Sequence, residues 1–218
     1  MGRRDDARRA VLADITEEGR RQLARDGAAA LSVRSIARAL DMASSAIYRY
    51  VASRDELLTM LIVAGYDRLA DELEATGDGR DGRELWFARG RAVRAWAAAN
   101  PHEWALLYGS PVPGYAAPED TIRPATRVYA ALAAPLATAS PVPAPDGPIT
   151  ADAVAVLATL GLEAGPGNGV ALLEALAGLI GLVSLERFGH LTNVVGDPAA
   201  LFDQLLGSLA DRLGLAAG

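Results

Sequence analysis

A chain of 218 residues is long enough for two small domains, and with 51% apolar and 22% charged residues it has the composition of a folded globular protein. It has no cysteine, which excludes disulfides, thiolate metal sites and thiol nucleophiles, and all 21 basic residues are arginine. Without lysine it cannot be a Schiff-base enzyme, a Walker-type phosphate-loop protein or a serine–lysine hydrolase, since each needs an ammonium that arginine does not replace.

The net charge of −6 conceals a division along the chain: up to Arg54 there are eleven arginines and seven acidic residues, and beyond it ten arginines and twenty acids. A basic head on an acidic body assigns contact with a polyanion to the head. Four of the first six residues are charged, and the start of the chain lacks the apolar stretch of a signal peptide. The apolar run at 175–185 is interrupted by glycine and serine, and is shorter than the roughly 20 residues a membrane span needs. The expectation is a soluble, cytoplasmic protein with no membrane partner.

Residues 5–26 place Ala7, Val11, Ile15 and Leu23 at helical spacing, and Gly27 ends that helix. A short helix is predicted over 33–40, with Ser32 as N-cap and Val33, Ile36, Ala37 and Leu40 as its apolar face. Asp41, Met42 and Ala43 connect it tightly to a third short helix at 44–50. Ser53 followed by Glu56 is a capping box that opens a long helix to about residue 75. The glycine-rich, charged stretch 76–83 is a loop, and a helix over 84–99 holds Trp86 and Trp96. Asn100 and Pro101 restart the chain into a short helix over 103–108. Three prolines and two glycines make 109–118 irregular. Residues 119–139 are helical, with Pro124 in the first turn and Pro135 ending or kinking the helix; four prolines make 140–148 a loop. Further helices are predicted at 150–163 and 169–191, with a break at 165–169. The last helix starts on Asp197 and Pro198 and carries Leu201, Phe202, Leu205, Leu209 and Leu213. There is no strand pattern. The fold class is all-α, about nine or ten helices.

Two short helices joined by about three residues, with a supporting helix before them, describe a helix-turn-helix. Ile36, Leu40, Ile47 and Val51 pack the unit, which leaves Ser44, Ser45, Tyr48 and Arg49 exposed on its second helix. Small side chains at the start of that helix permit close approach to a major groove. Tyr48 and Tyr50 can place hydroxyls on phosphates, and Arg34 and Arg54 stand at helix starts, where backbone amides also favour a phosphate. Arg3 and Arg4 are either a phosphate-binding arm or a loose terminus.

The stretch 31–58, LSVRSIARALDMASSAIYRYVASRDELL, resembles the tetracycline-repressor (TetR) family. The match lies in a small-residue turn, then Ile47-Tyr48-Arg49-Tyr50-Val51, then Arg54-Asp55-Glu56-Leu57-Leu58. Asp41 stands where the family has glycine, and aspartate tolerates a left-handed conformation better than most residues. Val51 stands where an aromatic is commoner. The resemblance implies that Ser44, Ser45 and Arg49 lie near bases, while Arg34, Tyr48, Tyr50 and Arg54 hold the backbone of double-stranded DNA at a palindromic operator. The segment 100–118 also looks like the C-terminal domain of a TetR subgroup named for a Trp-His-Gly signature, of which this chain keeps Gly181 but has Ile180 in place of the histidine.

These readings divide the chain into a helix-turn-helix DNA-binding domain at 1–54 and a ligand-binding and dimerisation domain at 55–218. Trp86, Trp104, Tyr108, Tyr129 and His102 are candidates to bind a small-molecule inducer, with Arg89 and Glu103 as further polar groups. Large aromatics in an alanine-rich bundle are equally the ordinary filling of a core. The last two helices carry more apolar surface than one subunit can bury, which suggests a homodimer built on them. The expected function is a transcriptional repressor released by an inducer. A helix-turn-helix regulator without a small-molecule ligand, an activator or architectural dimer, is the alternative. A helical enzyme is a remote third reading: there is no Gly-x-Ser-x-Gly, His-Glu-x-x-His or phosphate-loop motif, and no metal or cofactor is called for.

Overall fold

The computed structural model describes residues 2–77 and 79–216, which are helical with no strand among them. The α-helices among the described residues are α1 (Arg3–Asp26), α2 (Val33–Ala39), α3 (Ser44–Ile47), α4 (Arg54–Ala75), α5 (Gly82–Ala99), α6 (Pro101–Tyr108), α7 (Ile122–Ala133), α8 (Pro148–Thr159), α9 (Pro166–Arg187) and α10 (Pro198–Arg212). The chain forms two compact units, Met1–Tyr66 with Asn100–Pro124, and Asp67–Ala99 with Ala125–Gly218.

In the first unit the apolar stripe of α1 meets the helix-turn-helix. Ile15, Leu23, Ile36, Ile47, Val51, Leu57 and Leu58 are buried together. Gly19 brings α1 close to α4: a Cβ there would lie 3.2 Å from Leu61 Cδ2. Residues distant in sequence complete this core. Leu106, Val112 and Tyr115 pack against it, the Tyr115 and Thr59 hydroxyls are 2.9 Å apart, and Glu103 of α6 is buried 3.8 Å from Arg20 of α1. The start of α4 is capped as expected, with the Glu56 N–H donating to Ser53 Oγ at 3.1 Å. The Glu56 carboxylate reaches back one residue further than the usual box, accepting from the Ala52 N–H at 2.6 Å. Ser32 occupies the N-cap of α2 but its side chain makes no capping bond.

The second unit is built on α9, whose Leu172, Ala175, Leu179 and Val183 are fully buried. This helix has 22 residues and is apolar enough to cross a membrane by length and composition, longer than the run legible in the sequence; its buried side chains are those of a core helix. It begins at Pro166, inside the stretch expected to be a break, because proline is preset for a first helical turn. Gly169 lets α8 approach: a Cβ there would fall 2.9 Å from Leu157 Cδ1. Of the α10 stripe, Phe202, Leu209 and Leu213 are buried within the unit together with Leu206, while Leu201 and Leu205 stay half-buried. Asn168, itself buried, donates to the carbonyls of Ser140 and Leu213 at 2.9 and 3.0 Å, and accepts from the Val142 N–H at 3.4 Å. Pro135 converts the end of α7 into a 3₁₀ segment, Ala134–Thr138, and the chain turns irregular after it. Arg94 and Glu186 join α5 to α9 by two parallel bonds of 2.8 Å, which hold the Glu186 carboxyl below its ordinary value against the opposing effect of burial.

Candidate nucleic-acid interface

The turn of the helix-turn-helix rests on Asp41. Its φ is 51°, and around it the Met42 N–H donates to the Ala37 carbonyl at 2.8 Å and the Asp41 N–H to the Arg38 carbonyl at 3.3 Å. These are the paired bonds of a helix end closed by a left-handed residue, a place glycine normally takes. The turn aims the next helix. Ala43 is the N-cap of α3, Ile47 is fully buried beneath it, and Ser44 and Ser45 are exposed. The helix is shorter than the predicted 44–50. Beyond Ile47 the chain tightens, with the Arg49 and Tyr50 N–H groups donating three residues back to Ala46 and Ile47 at 3.2 and 2.8 Å.

Tyr48 is 41% exposed, Arg34 and Arg49 are exposed, and Tyr50 is half-buried. Arg54 is half-buried, its Nη2 donating to the Ala28 carbonyl at 3.0 Å, so it braces the start of α4 as well as facing outward. Arg8 was not singled out by the sequence. Its guanidinium lies 5.3 Å from the centre of the Tyr50 ring and donates to the Arg49 carbonyl at 3.2 Å. No local pattern announces that contact, since it joins α1 to residues more than forty positions away. Arg3 and Arg4 belong to α1 rather than to a loose arm.

Ion pairing separates the arginines of this unit. On α1, Arg9 pairs with Asp6, Arg20 with Glu17, Arg21 with Glu18 and Arg25 with Asp26; hydrogen bonding to Glu17 raises the pKa of Arg20, and Arg25 holds the Asp26 carboxyl below its ordinary value. Among the described residues, Arg34, Arg38 and Arg49 have no carboxylate within ion-pair distance, while Arg8 and Arg54 bond only to carbonyls. Arg3, Arg4 and Arg123 likewise have no ion pair among the described residues, so the uncompensated arginines of this unit include, but are not confined to, those on and around the helix-turn-helix.

The ligand candidates are not brought together. In the second unit Trp86 is completely buried and donates from Nε1 to the Leu206 carbonyl at 3.0 Å. Tyr129 lies elsewhere in that unit, lining a cleft of about 440 Å³ between α7, α8 and α9 with Thr126, Val156, Thr159, Leu176 and Ile180. Trp104, completely buried, and Tyr108 belong to the first unit, their ring centres 4.4 Å apart, with Tyr66 edge-on to Tyr108 at 6.0 Å. His102 is exposed on α6. Arg89, read from sequence as a pocket group, donates instead to backbone carbonyls at the ends of α4 and α7.

An all-helical chain with this helix-turn-helix is a DNA-binding transcriptional regulator. Residues 15–61 match the family described as bacterial regulatory proteins, tetR family, and residues 86–209 match the tetracyclin repressor-like C-terminal domain. The chain belongs to the TetR family. It is 45% identical to the HTH-type transcriptional regulator Rv1816 of Mycobacterium tuberculosis, over 93% of this chain and 92% of that one, and to the same degree to the regulator Mb1846 of Mycobacterium bovis. The crystal structure of the regulatory protein designated SCO4313 superposes with a TM-score of 0.74 at 32% identity, covering 96% of this chain and 98% of the other. A tetR-family regulatory protein from Rhodococcus RHA1 shares the fold, at a TM-score of 0.58 and 17% identity, covering 94% and 98%.

Proposed function

We propose that the chain is a cytoplasmic repressor that binds a palindromic operator as a homodimer and leaves it when a small molecule occupies the second unit. The observation that carries this reading is the exposed start of α3, beside arginines that no carboxylate compensates. Ser44, Ser45 and Arg49 read base edges, and Arg34, Tyr48, Tyr50 and Arg54 hold phosphates. These roles divide the chain at residue 54 by function, reader before and controller after.

The ligand belongs in the Tyr129 cleft. Its lining has hydroxyls from Thr126, Tyr129 and Thr159 but no charged side chain, so a charged group buried there would go unpaired at high cost. An uncharged, largely apolar molecule with one or two hydrogen-bonding groups fits it. Pairing of two copies falls to the end of the chain, where Leu201 and Leu205 of α10 are half-buried and the exposed apolar side chains include Ile149 and Val154 on α8, Leu185 on α9, and Phe188 and Val194 beyond it. Arg187 Nε, buried there without a hydrogen-bond partner, is a donor that a second copy can satisfy.

The test is operator binding by the full chain to the DNA upstream of its own gene, across a salt series and with neutral ligands added. A sequence-specific complex that such a ligand dissolves is expected; no specific complex at any salt overturns the reading. The dispersal of Trp86, Trp104, Tyr108 and His102 away from the cleft favours the second reading, a regulator without a ligand, which would bind its operator normally and ignore every compound that enters the cleft.

A further inference from the structure

Three carboxylates of α4 stand at successive helical spacings and converge on one guanidinium of α7. Arg127 donates from Nη1 to Asp67 at 2.9 Å, from Nη2 to Asp71 and Glu74 at 2.7 Å each, and from Nε to Glu74 at 3.2 Å. One exposed ion pair contributes little. Four charge-assisted bonds from a single planar fork form a network, and without it three like charges would share one face of α4. The same bonds hold the Arg127 guanidinium above its ordinary value. A second arginine braces the same two helices from α5. Arg89, half-buried, donates from Nε to the Leu73 and Thr76 carbonyls at 3.0 and 3.4 Å and from Nη1 to the Ala131 carbonyl. Several of these carbonyls lie in last turns, where a helix leaves them without internal partners.

Thr126 and Tyr129, which flank Arg127 in sequence, line the cleft. One stretch of α7 therefore lines the cleft with Thr126 and Tyr129 and sends a guanidinium to α4. Helix α4 runs without interruption from Arg54 to Ala75; its first turn is capped by Ser53, Arg54 bonds to the Ala28 carbonyl just ahead of α2, and Leu57 and Leu58 are buried in one core with Ile36 and Ile47 of the helix-turn-helix. We propose that Arg127 is a positioning residue that converts displacement of α7 by a ligand in the Tyr129 cleft into displacement of α4, and so of the DNA-reading end. This rests on the ligand reading above and names the contact through which it acts.

The test uses the full chain and the neutral dye Nile red as the probe of the cleft. Dye affinity is read by fluorescence, and amide exchange over residues 54–66 by mass spectrometry. In the native chain the dye is expected to change exchange over 54–66 by about fivefold or more. Arg127→Gln is expected to bind the dye with unchanged affinity, because Arg127 does not line the cleft, and to lose that response. The double variant Asp71→Asn with Glu74→Gln, which opens the clasp from the other side, is expected to lose it too. A clasp that only stabilises the fold would lower the melting temperature of both variants and leave the response in place. Variants that are folded by circular dichroism, bind the dye and keep the full change over 54–66 overturn the proposal. Dye that binds the native chain without affecting α4 overturns the clasp and leaves the cleft as a ligand site. A native chain that takes up no dye removes the cleft reading, and the clasp's role with it.

Discussion

The two units handle the same side chain in opposite ways. In the second, Arg83 faces Asp211, Arg91 faces Asp203, Arg94 faces Glu186, Arg212 faces Glu174, and Arg127 gathers three carboxylates. In the first, Arg9, Arg20, Arg21 and Arg25 are paired within α1, while among the described residues Arg8, Arg34, Arg38 and Arg49 are left without acidic partners. A guanidinium already matched by a carboxylate has little to offer a phosphate, because the carboxylate must first be displaced. On the function proposed above, the unmatched ones mark the DNA-facing surface more sharply than net charge does.

The contrast can be broken at several points, and the largest effect is expected where no charge is involved. Trp86→Ala removes a completely buried ring and its bond to Leu206 and should cost about 3–5 kcal/mol of stability in denaturant titration; a loss under about 1 kcal/mol would mean that the indole is not core. Arg49→Ala should weaken operator binding by about 1–3 kcal/mol and relax preference at one base position, read by competition against single-base variants of the operator. An equal loss for every sequence would reassign Arg49 to the phosphates. Asp41→Gly should raise stability by up to about 1 kcal/mol, because the left-handed φ of 51° strains any residue with a Cβ; Asp41→Val, at the same place, should lower it. Arg34→Ala and Arg38→Ala should leave the melting temperature nearly unchanged, and each should reduce the slope of log affinity against log salt by about one. The smallest effect belongs to Glu186. Its folded-state pKa lies below the ordinary 4.5, so its contribution is complete above about pH 4.5 and is lost as pH falls through the folded value. Glu186→Gln should flatten the acid limb of the stability curve and leave operator binding at neutral pH untouched.

Most of the helix plan was legible in the sequence because it is written locally. Asp41 at the turn, Ser53 with Glu56, and Asp197, whose carboxylate accepts from the Ala199 and Ala200 N–H groups at 3.0 Å, are signals spanning a few residues. What was not legible depends on partners far away in the chain. Nothing near 100–124 says that Leu106, Val112 and Tyr115 complete the core around Ile15 and Ile47. The aromatic residues have the size of ligand contacts, yet Trp86 and Trp104 are completely buried, and of the five candidates Tyr129 alone lines the cleft. Size and polarity allow either role, and the choice is made by which helices lie opposite. Arg127 carried no signal at all, since its three partners stand more than fifty positions earlier.

The buried amide of Asn168 has a practical consequence. By fastening Ser140 and Val142 to the end of α10, it divides the proline-rich connection into an anchored half and an exposed one, residues 143–147, whose side chains are in solvent apart from what the following helix covers. A fluorescent tag or an engineered protease site spliced in after Ala144 would report on the protein without disturbing its architecture, whereas the same insertion two residues earlier, where the Val142 and Pro143 carbonyls pack against Gly167, would pull apart the seam on which α9 and α10 depend.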